Sequence, residues 1–272
     1  MDKPMTIIVR GSGDVGSAVA HLLFSSGYAV LIQDSAQPGA TRRGMAFTDA
    51  IFDGTALLEN VPAQRADSLD DLHTLLTVGR LIPVTTLELP VLLEALSPSV
   101  LVDARMKKHQ QPESQIQLAA LTIGLGPNFI AGENVHLAVE TNRGENLGKV
   151  LASGATEQLK GEPNAINGHA RDRYIYAPLA GVFHTKMHIG QRVVSGQEIA
   201  RIEQTPLYAP LDGNLRGLTH DGVPVQIKGK IIEIDPRSEN AQVFGIAERP
   251  RRIALGVLEG IRSWEQTSSG RS

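Results

Sequence analysis

The feature that most constrains this chain lies at its start. Thr6-Ile7-Ile8-Val9-Arg10 runs directly into Gly11-Ser12-Gly13-Asp14-Val15-Gly16, and Ser17-Ala18-Val19-Ala20-His21-Leu22-Leu23 follows. A β-branched run, glycines at the G-x-G-x-x-G spacing and an apolar-periodic segment read as strand, tight turn and helix. Gly11 allows the turn, Gly13 lets the backbone approach a pyrophosphate, and Gly16 lets the helix close onto the strand. The helix N-terminus, with Ser12, Asp14 and Val15 in the turn, offers unpaired N–H groups and a partial positive charge to an anion. Tyr28 to Gln33 reads as a second strand ending at Asp34, where a ribose-binding carboxylate is expected. The bland counterpart is a turn of the same shape that binds nothing.

Size and composition bound the rest. A chain of 272 residues is long enough for about two domains with real cores. The formal net charge of −3 argues against a nucleic-acid binder. The absence of cysteine excludes disulfides, thiolate metal sites, iron–sulfur clusters and a Cys nucleophile. Met1-Asp2-Lys3-Pro4 lacks a charged-then-apolar leader pattern, and no apolar run approaches the roughly 20 residues of a membrane span. The expectation is a cytoplasmic protein that engages neither nucleic acid nor membrane. Its oligomeric state is not legible.

Two stretches follow different grammars. Up to about Thr141, apolar strands alternate with helix-like segments: Arg80 to Val84, the periodic Leu87 to Leu96, Ser99 to Asp103, Ala120 to Gly124 and His136 to Thr141. That pattern implies a parallel sheet covered on both faces. From about Arg173 the strands shorten, glycines punctuate, and a repeat appears. Ala177-Pro178-Leu179-Ala180-Gly181 recurs as Ala209-Pro210-Leu211-Asp212-Gly213, and Gly190 to Val194 recurs as Gly222 to Gln226. Two such halves suggest a pseudo-symmetric sandwich, since neither half alone buries its apolar face. It resembles the barrel-sandwich fold of biotinyl and lipoyl carrier domains, but the joint Glu203 to Tyr208 lacks their carrier lysine.

The expected fold is therefore α/β, with a Rossmann-like parallel-sheet domain over 1–145 and a small all-β barrel-sandwich domain over 173–240. A Gly/Asn-rich stretch over 146–172 connects them, fitting either a linker or a backbone that wraps a ligand. Ile253, Val257 and Ile261 recur at helical spacing within a closing helical region, 241–265, and a frayed Ser/Gly-rich tail occupies 266–272.

Further candidates for ligand contact cluster at strand ends. A second glycine loop holds Gly124 and Gly126, and both loops face one crevice if they share a sheet edge. Arg42, Arg43 and Arg143 are natural anion partners, set against the plain reading of solvated charges. Arg42 and Arg43 suit a 2′-phosphate where Asp34 suits a hydroxyl, so NAD and NADP both stay open. Asp103 ends a strand on the same edge and reads as a ligand-orienting carboxylate or, more plainly, a turn residue. His184 and His188 are too far apart in an extended segment to share a metal, and no metal site is expected. No nucleophile–base pair is legible, so whether the chain catalyses a reaction stays open.

Taken in order, several segments resemble one family. They are Val9 to Asp14 with Ala18 to His21, Arg42-Arg43-Gly44-Met45-Ala46-Phe47, Val102-Asp103-Ala104-Arg105-Met106, Ile123-Gly124-Leu125-Gly126-Pro127, Val139 to Gly144, Leu147 to Val150, Arg216-Gly217-Leu218 and Ile234-Asp235-Pro236-Arg237. The chain resembles the YqeB-type accessory proteins of the selenium-dependent molybdenum hydroxylase system. It departs at Ala247-Glu248-Arg249-Pro250-Arg251, where a Ser-Asp-Lys-Ala-Arg-like stretch is usual, and at Asn128, where glycine is common. The resemblance implies a maturation role for a client molybdenum hydroxylase, related in idea to XdhC-type cofactor chaperones. It also implies a molybdopterin nucleotide as ligand, alongside NAD(P) as the other phosphorylated candidate. Two rivals stay open: an NAD(P)-dependent oxidoreductase with substrate near Gly124 to Gly132, and a structural adaptor with a vestigial pocket.

Overall fold

The computed structural model describes residues 5–107, 110–158, 165–237, 239 and 241–269. The chain opens with β1 (Thr6–Arg10), α1 (Asp14–Ser25), β2 (Ala29–Gln33) and α2 (Asp49–Asp53). A hairpin follows, β3 (Thr55–Leu58) and β4 (Val61–Ala66), then α3 (Leu69–Val78), β5 (Ile82–Thr85), α4 (Leu89–Leu96) and β6 (Val100–Asp103). Next come β7 (Leu121–Leu125), β8 (Ile130–Ala131), β9 (Leu137–Val139), β10 (Val150–Leu151) and β11 (Gly154–Ala155). These strands form a nine-stranded sheet in the order β10-β9-β7-β6-β1-β2-β5-β4-β3, with β8 and β11 as a separate pair.

Alternation along β1 explains why its middle is apolar. Ile7 and Val9 join a core with α1, whereas Ile8 points into a second core with Leu31, Leu72, Leu92 and Leu101. Both faces are covered there, so polar side chains stand only at the strand's ends, Thr6 and Arg10. Local signals set the helix ends: Ser68 and Asp71 form a reciprocal capping box at α3, and α4 begins with Pro90 in its first turn.

The second region is β12 (Tyr174–Tyr176), β13 (Gly181–His184), β14 (Arg192–Val193), β15 (Glu198–Ile202), β16 (Thr205–Tyr208), β17 (Gly213–Leu218), β18 (Pro224–Val225) and β19 (Lys230–Asp235). They form two antiparallel sheets, β12-β19-β17-β14 and β16-β15-β13-β18, around a shared core that includes Phe183, Ile202, Leu215 and Ile232. Each sheet mixes strands from both copies of the repeat. The chain then returns as α5 (Glu248–Ser269), whose Ile253, Val257 and Ile261 are fully buried in the core shared with α1.

These facts correct the expected fold class, a Rossmann-like parallel domain plus a barrel-sandwich. The large sheet is mixed, because β3 and β10 run antiparallel at its two edges. Among the described residues, the connections from β6 to β7 and from β7 to β9 contain no α-helix. Residues 104–120 are too polar, with Pro112 among them, to supply an apolar helical stripe. The β region is two linear four-stranded sheets facing each other, not one closed barrel. The architecture is mixed α/β. Among the described residues no helix is long and apolar enough to cross a membrane.

The two regions are stitched together directly. Leu218 in β17 donates its backbone N–H to the Thr41 carbonyl, and Arg43 Nε donates to the Leu218 carbonyl. The 146–172 stretch also belongs to the body at its start, since β10 pairs with β9 at the sheet edge. Toward the C-terminus, α5 continues to Ser269, beyond the expected limit of the closing helical region at 265.

Candidate functional site

The site builds from the turn between β1 and α1. Gly11 adopts φ +104°, and a Cβ on it would lie 3.0 Å from the Ala104 carbonyl oxygen. A Cβ on Gly16 would sit 1.9 Å from the Gly11 carbonyl oxygen, which forbids any side chain there. At Gly13 the space is open, with only the Ala40 Cβ at 4.0 Å. Gly13 is also the N-cap of α1 and supplies no capping side chain. The turn therefore combines a tightly packed base with a helix N-terminus that has no N-cap side chain, although Asp14 Oδ1 accepts from the Val15 N–H; backbone N–H groups at such a helix start are where phosphates bind.

Asp34 does something the sequence did not announce. Its Oδ2 accepts from both the backbone N–H and the hydroxyl of Ser12, each at 2.7 Å. The Ser12 carbonyl accepts in turn from the Ser17 and Thr48 hydroxyls. The carboxylate expected for a ribose thus ties the turn to the end of β2, and its Oδ1 accepts from the Ser35 amide.

In front of the helix N-terminus lies a charge cluster. Asp14, the first residue of α1, accepts from Arg42 Nη1 at 3.0 Å. Arg42 also grips Glu233 on β19 through Nε and Nη2, at 2.9 and 3.1 Å. Glu233 is fully buried and takes further bonds from Arg173 Nη1 at 2.6 Å and Lys230 Nζ at 3.2 Å. Arg216 stands beside it and reaches Asp235, which also holds Arg237. From α5, Arg249 donates to the Thr141 carbonyl and feels the charges of Asp14, Arg143, Arg42 and Glu140.

The balance of this cluster is positive. Seven cations (Arg42, Arg143, Arg173, Arg216, Lys230, Arg237 and Arg249) meet four carboxylates (Asp14, Glu140, Glu233 and Asp235). Burial opposes ionisation of Asp14 and Glu233, but neighbouring Arg42 and Lys230 outweigh it and hold both well below the ordinary carboxylate range. The cations show the converse. Burial lowers the pKa of Arg249, Lys230 and Arg216, and the nearby Arg42 charge adds to that in each. The Nε atoms of Arg173 and Arg216 are buried without a hydrogen-bond acceptor.

A second network lies behind the turn. Asp103, at the end of β6, is 2% exposed and is gripped by Arg105 through Nε and Nη2. Gln115 Nε2 and Arg10 Nη1 also reach its Oδ2, at 2.5 and 3.4 Å. Glu113 accepts from Arg10 and Arg105, and although burial opposes ionisation these bonds bring its pKa down to about 2. A pocket of about 30 Å³ adjoins this network, bordered by Lys107, Leu125 and Phe129, with room for a water.

The residues singled out from sequence thus divide. Gly11, Ser12, Gly13, Asp14, Val15 and Gly16 form the turn itself. Asp103 belongs to the network behind it, and Asp34 braces it from β2. Arg43 is committed elsewhere, to Asp49 and the Leu218 carbonyl. Gly124 makes room for the Phe129 ring, which would lie 2.2 Å from a Cβ. Gly126 sits against Met106 and Thr141, which places its loop between the Asp103 strand and Arg249. Arg143 is exposed, with its charge bearing on Arg249. Sequence reasoning missed Arg173, Arg216, Lys230 and Glu233, which come from the second region, and noted Arg249 only as a departure from a motif.

Comparison with known proteins adds the following. No family model matches the chain. It is 38% identical over 255 residues to "Uncharacterized protein YqeB" of Escherichia coli (strain K12), an alignment covering 94% of this chain and 47% of that protein. The chain thus spans about half the length of the curated relative it matches, and the motif resemblance to YqeB-type proteins stands at that level. Among solved structures it matches the product-bound ectoine utilization protein EutE (DoeB) from Ruegeria pomeroyi, at 12% identity, 85% coverage of each chain and TM-score 0.25. It also matches a succinylglutamate desuccinylase from Silicibacter sp. TM1040, at 12% identity, 85% and 84% coverage and TM-score 0.25. A succinylglutamate desuccinylase/aspartoacylase from Rhodobacter sphaeroides follows, at 14% identity, 85% coverage of each chain and TM-score 0.26. At those scores no activity passes from these proteins to this chain. Neither the YqeB relative nor these structures supports the maturation role expected from the resemblance, with its selenium dependence, and that role is not carried further.

Proposed function

We propose that this chain binds the phosphate groups of a small anionic ligand at the N-terminus of α1. The phosphates would meet the turn from Gly11 to Gly16 and the cations Arg42, Lys230, Arg143 and Arg249. The observation that carries this reading is the convergence of Arg42, Arg249 and Lys230 on Asp14, the first residue of a helix whose N-cap supplies no side chain, in a chain of net charge −3. The open space at Gly13 supports it, since a diphosphate needs close approach to the backbone there. Asp34, at the end of β2 and bonded to Ser12 of that turn, has acceptor capacity left on Oδ1 for a sugar hydroxyl. NAD, NADPH and molybdopterin nucleotides are the members of this class to try first.

The test is calorimetry with inorganic pyrophosphate, NAD and NADPH at several salt concentrations. Binding that weakens as salt rises is expected, and Arg249→Ala should reduce affinity by tenfold or more, the scale of one charge-assisted hydrogen bond. Circular dichroism melts check that this variant folds. An absence of binding by all three, or affinities indifferent to Arg249, would refute the reading.

A further inference from the structure

The outer face of β12 carries a feature that the phosphate-binding reading leaves unused. Tyr174 and Tyr176 share that face, their rings edge to face with centroids 6.3 Å apart and an interplanar angle of 66°. Tyr174 pairs in register with Glu233, the carboxylate that Arg42 links to Asp14. Its ring is locked. The Arg173 guanidinium lies 4.4 Å and the Lys230 ammonium 4.8 Å from its centroid, and its hydroxyl accepts from Arg173 Nη2. Tyr176 pairs in register with Lys230, whose charge reaches Asp14 at the helix start. It is 40% exposed.

An exposed ring, edge to face with a neighbour that contacts two cations and paired across the strands with Lys230, suits one kind of occupant. An aromatic base stacks on the open ring while its phosphates meet the cations. Charged partners surround the pair, Lys230 and Glu233 across the strands, where a protein-docking patch would show contiguous apolar area. Resting on the phosphate-binding reading, we propose that the ligand is a nucleotide whose base stacks on Tyr176, so that the second region supplies the base platform and the first supplies the phosphate cradle.

Titration of the intact chain with ADP and with inorganic pyrophosphate tests this, because both carry a diphosphate and only one carries a base. ADP should bind more tightly than pyrophosphate. Tyr176→Ala should weaken ADP by about tenfold and leave pyrophosphate within about twofold, as loss of one base–aromatic stack implies. Tyr176→Phe keeps the ring and should retain ADP affinity. Equal binding of the two ligands by the unaltered chain, or Tyr176→Ala affecting both alike or neither, would overturn the platform while leaving phosphate binding standing. If neither ligand binds, the phosphate reading fails first and the platform with it.

Discussion

Replacing Glu233 by glutamine tests whether the charge cluster is as desolvated as its geometry implies. The substitution keeps the side-chain volume, so no cavity contributes. It removes the one full negative charge shared by Arg42, Arg173 and Lys230, and it turns an amide NH2 toward groups that only donate. Breaking a buried ion network from one side costs about 3–5 kcal/mol, because the remaining charges stay buried without compensation. At about 2–4 °C per kcal/mol for a chain near this size, the melting temperature should fall by roughly 6–20 °C. The pH dependence has a definite sign. Glu233 is held well below its ordinary value of 4.5, so its contribution is present above that value and is lost as the pH falls toward its folded pKa. The gap between the parent and Glu233→Gln, measured by calorimetric or circular dichroism melts, should therefore be full at pH 7 and narrow below about pH 4.5. Added pyrophosphate should recover more stability in the variant than in the parent, since one more positive charge is then unmatched. A variant that melts within about 2 °C of the parent at pH 7 would refute the reasoning.

Three further outcomes are expected. Gly16→Ala drives a Cβ to 1.9 Å from the Gly11 carbonyl oxygen, backbone against backbone, and should cost at least about 1–3 kcal/mol in urea unfolding; a neutral result would mean that the turn relaxes freely. Asp34→Ala leaves the buried Ser12 N–H without its acceptor and its hydroxyl with only Thr48 Oγ1 at 3.3 Å, and should destabilise by about 1–3 kcal/mol even without ligand. Unchanged stability with weakened ligand binding would instead return Asp34 to a purely ligand-facing role. Glu113, with its pKa near 2, should titrate far below a free glutamate in a carboxylate-resolved NMR series, and Arg105→Ala should move it back upward.

Much of the backbone was legible because local physics wrote it. Thr6 to Leu23 spelled strand, turn and helix, and Ile253, Val257 and Ile261 marked the buried stripe of α5. The edges of the large sheet were not legible. β3 and β4 sit in a hairpin whose residues alternate only weakly, and β10 is two residues long, so no periodicity could announce an antiparallel border. The repeat was visible, but not that each sheet takes strands from both copies, since pairing between distant segments leaves no local trace.

The charge cluster was hidden for a different reason. In Lys230-Ile231-Ile232-Glu233-Ile234-Asp235 the alternation of acid and isoleucine reads as a strand with one face in water. That face is instead covered by the first region, where Arg42 waits from nearly two hundred positions away. Arg42 looked like a free anion partner for the same reason: nothing near it in sequence showed that Asp14 and Glu233 divide it between them. The charge cluster is assembled across the seam between the two regions. A buried, positively unbalanced seam is costly to keep unless something fills it, and the uncapped start of α1 opens onto that seam. The sequence motif thus marked the turn from β1 to α1, while the partners that give that turn its charge had to come from folding.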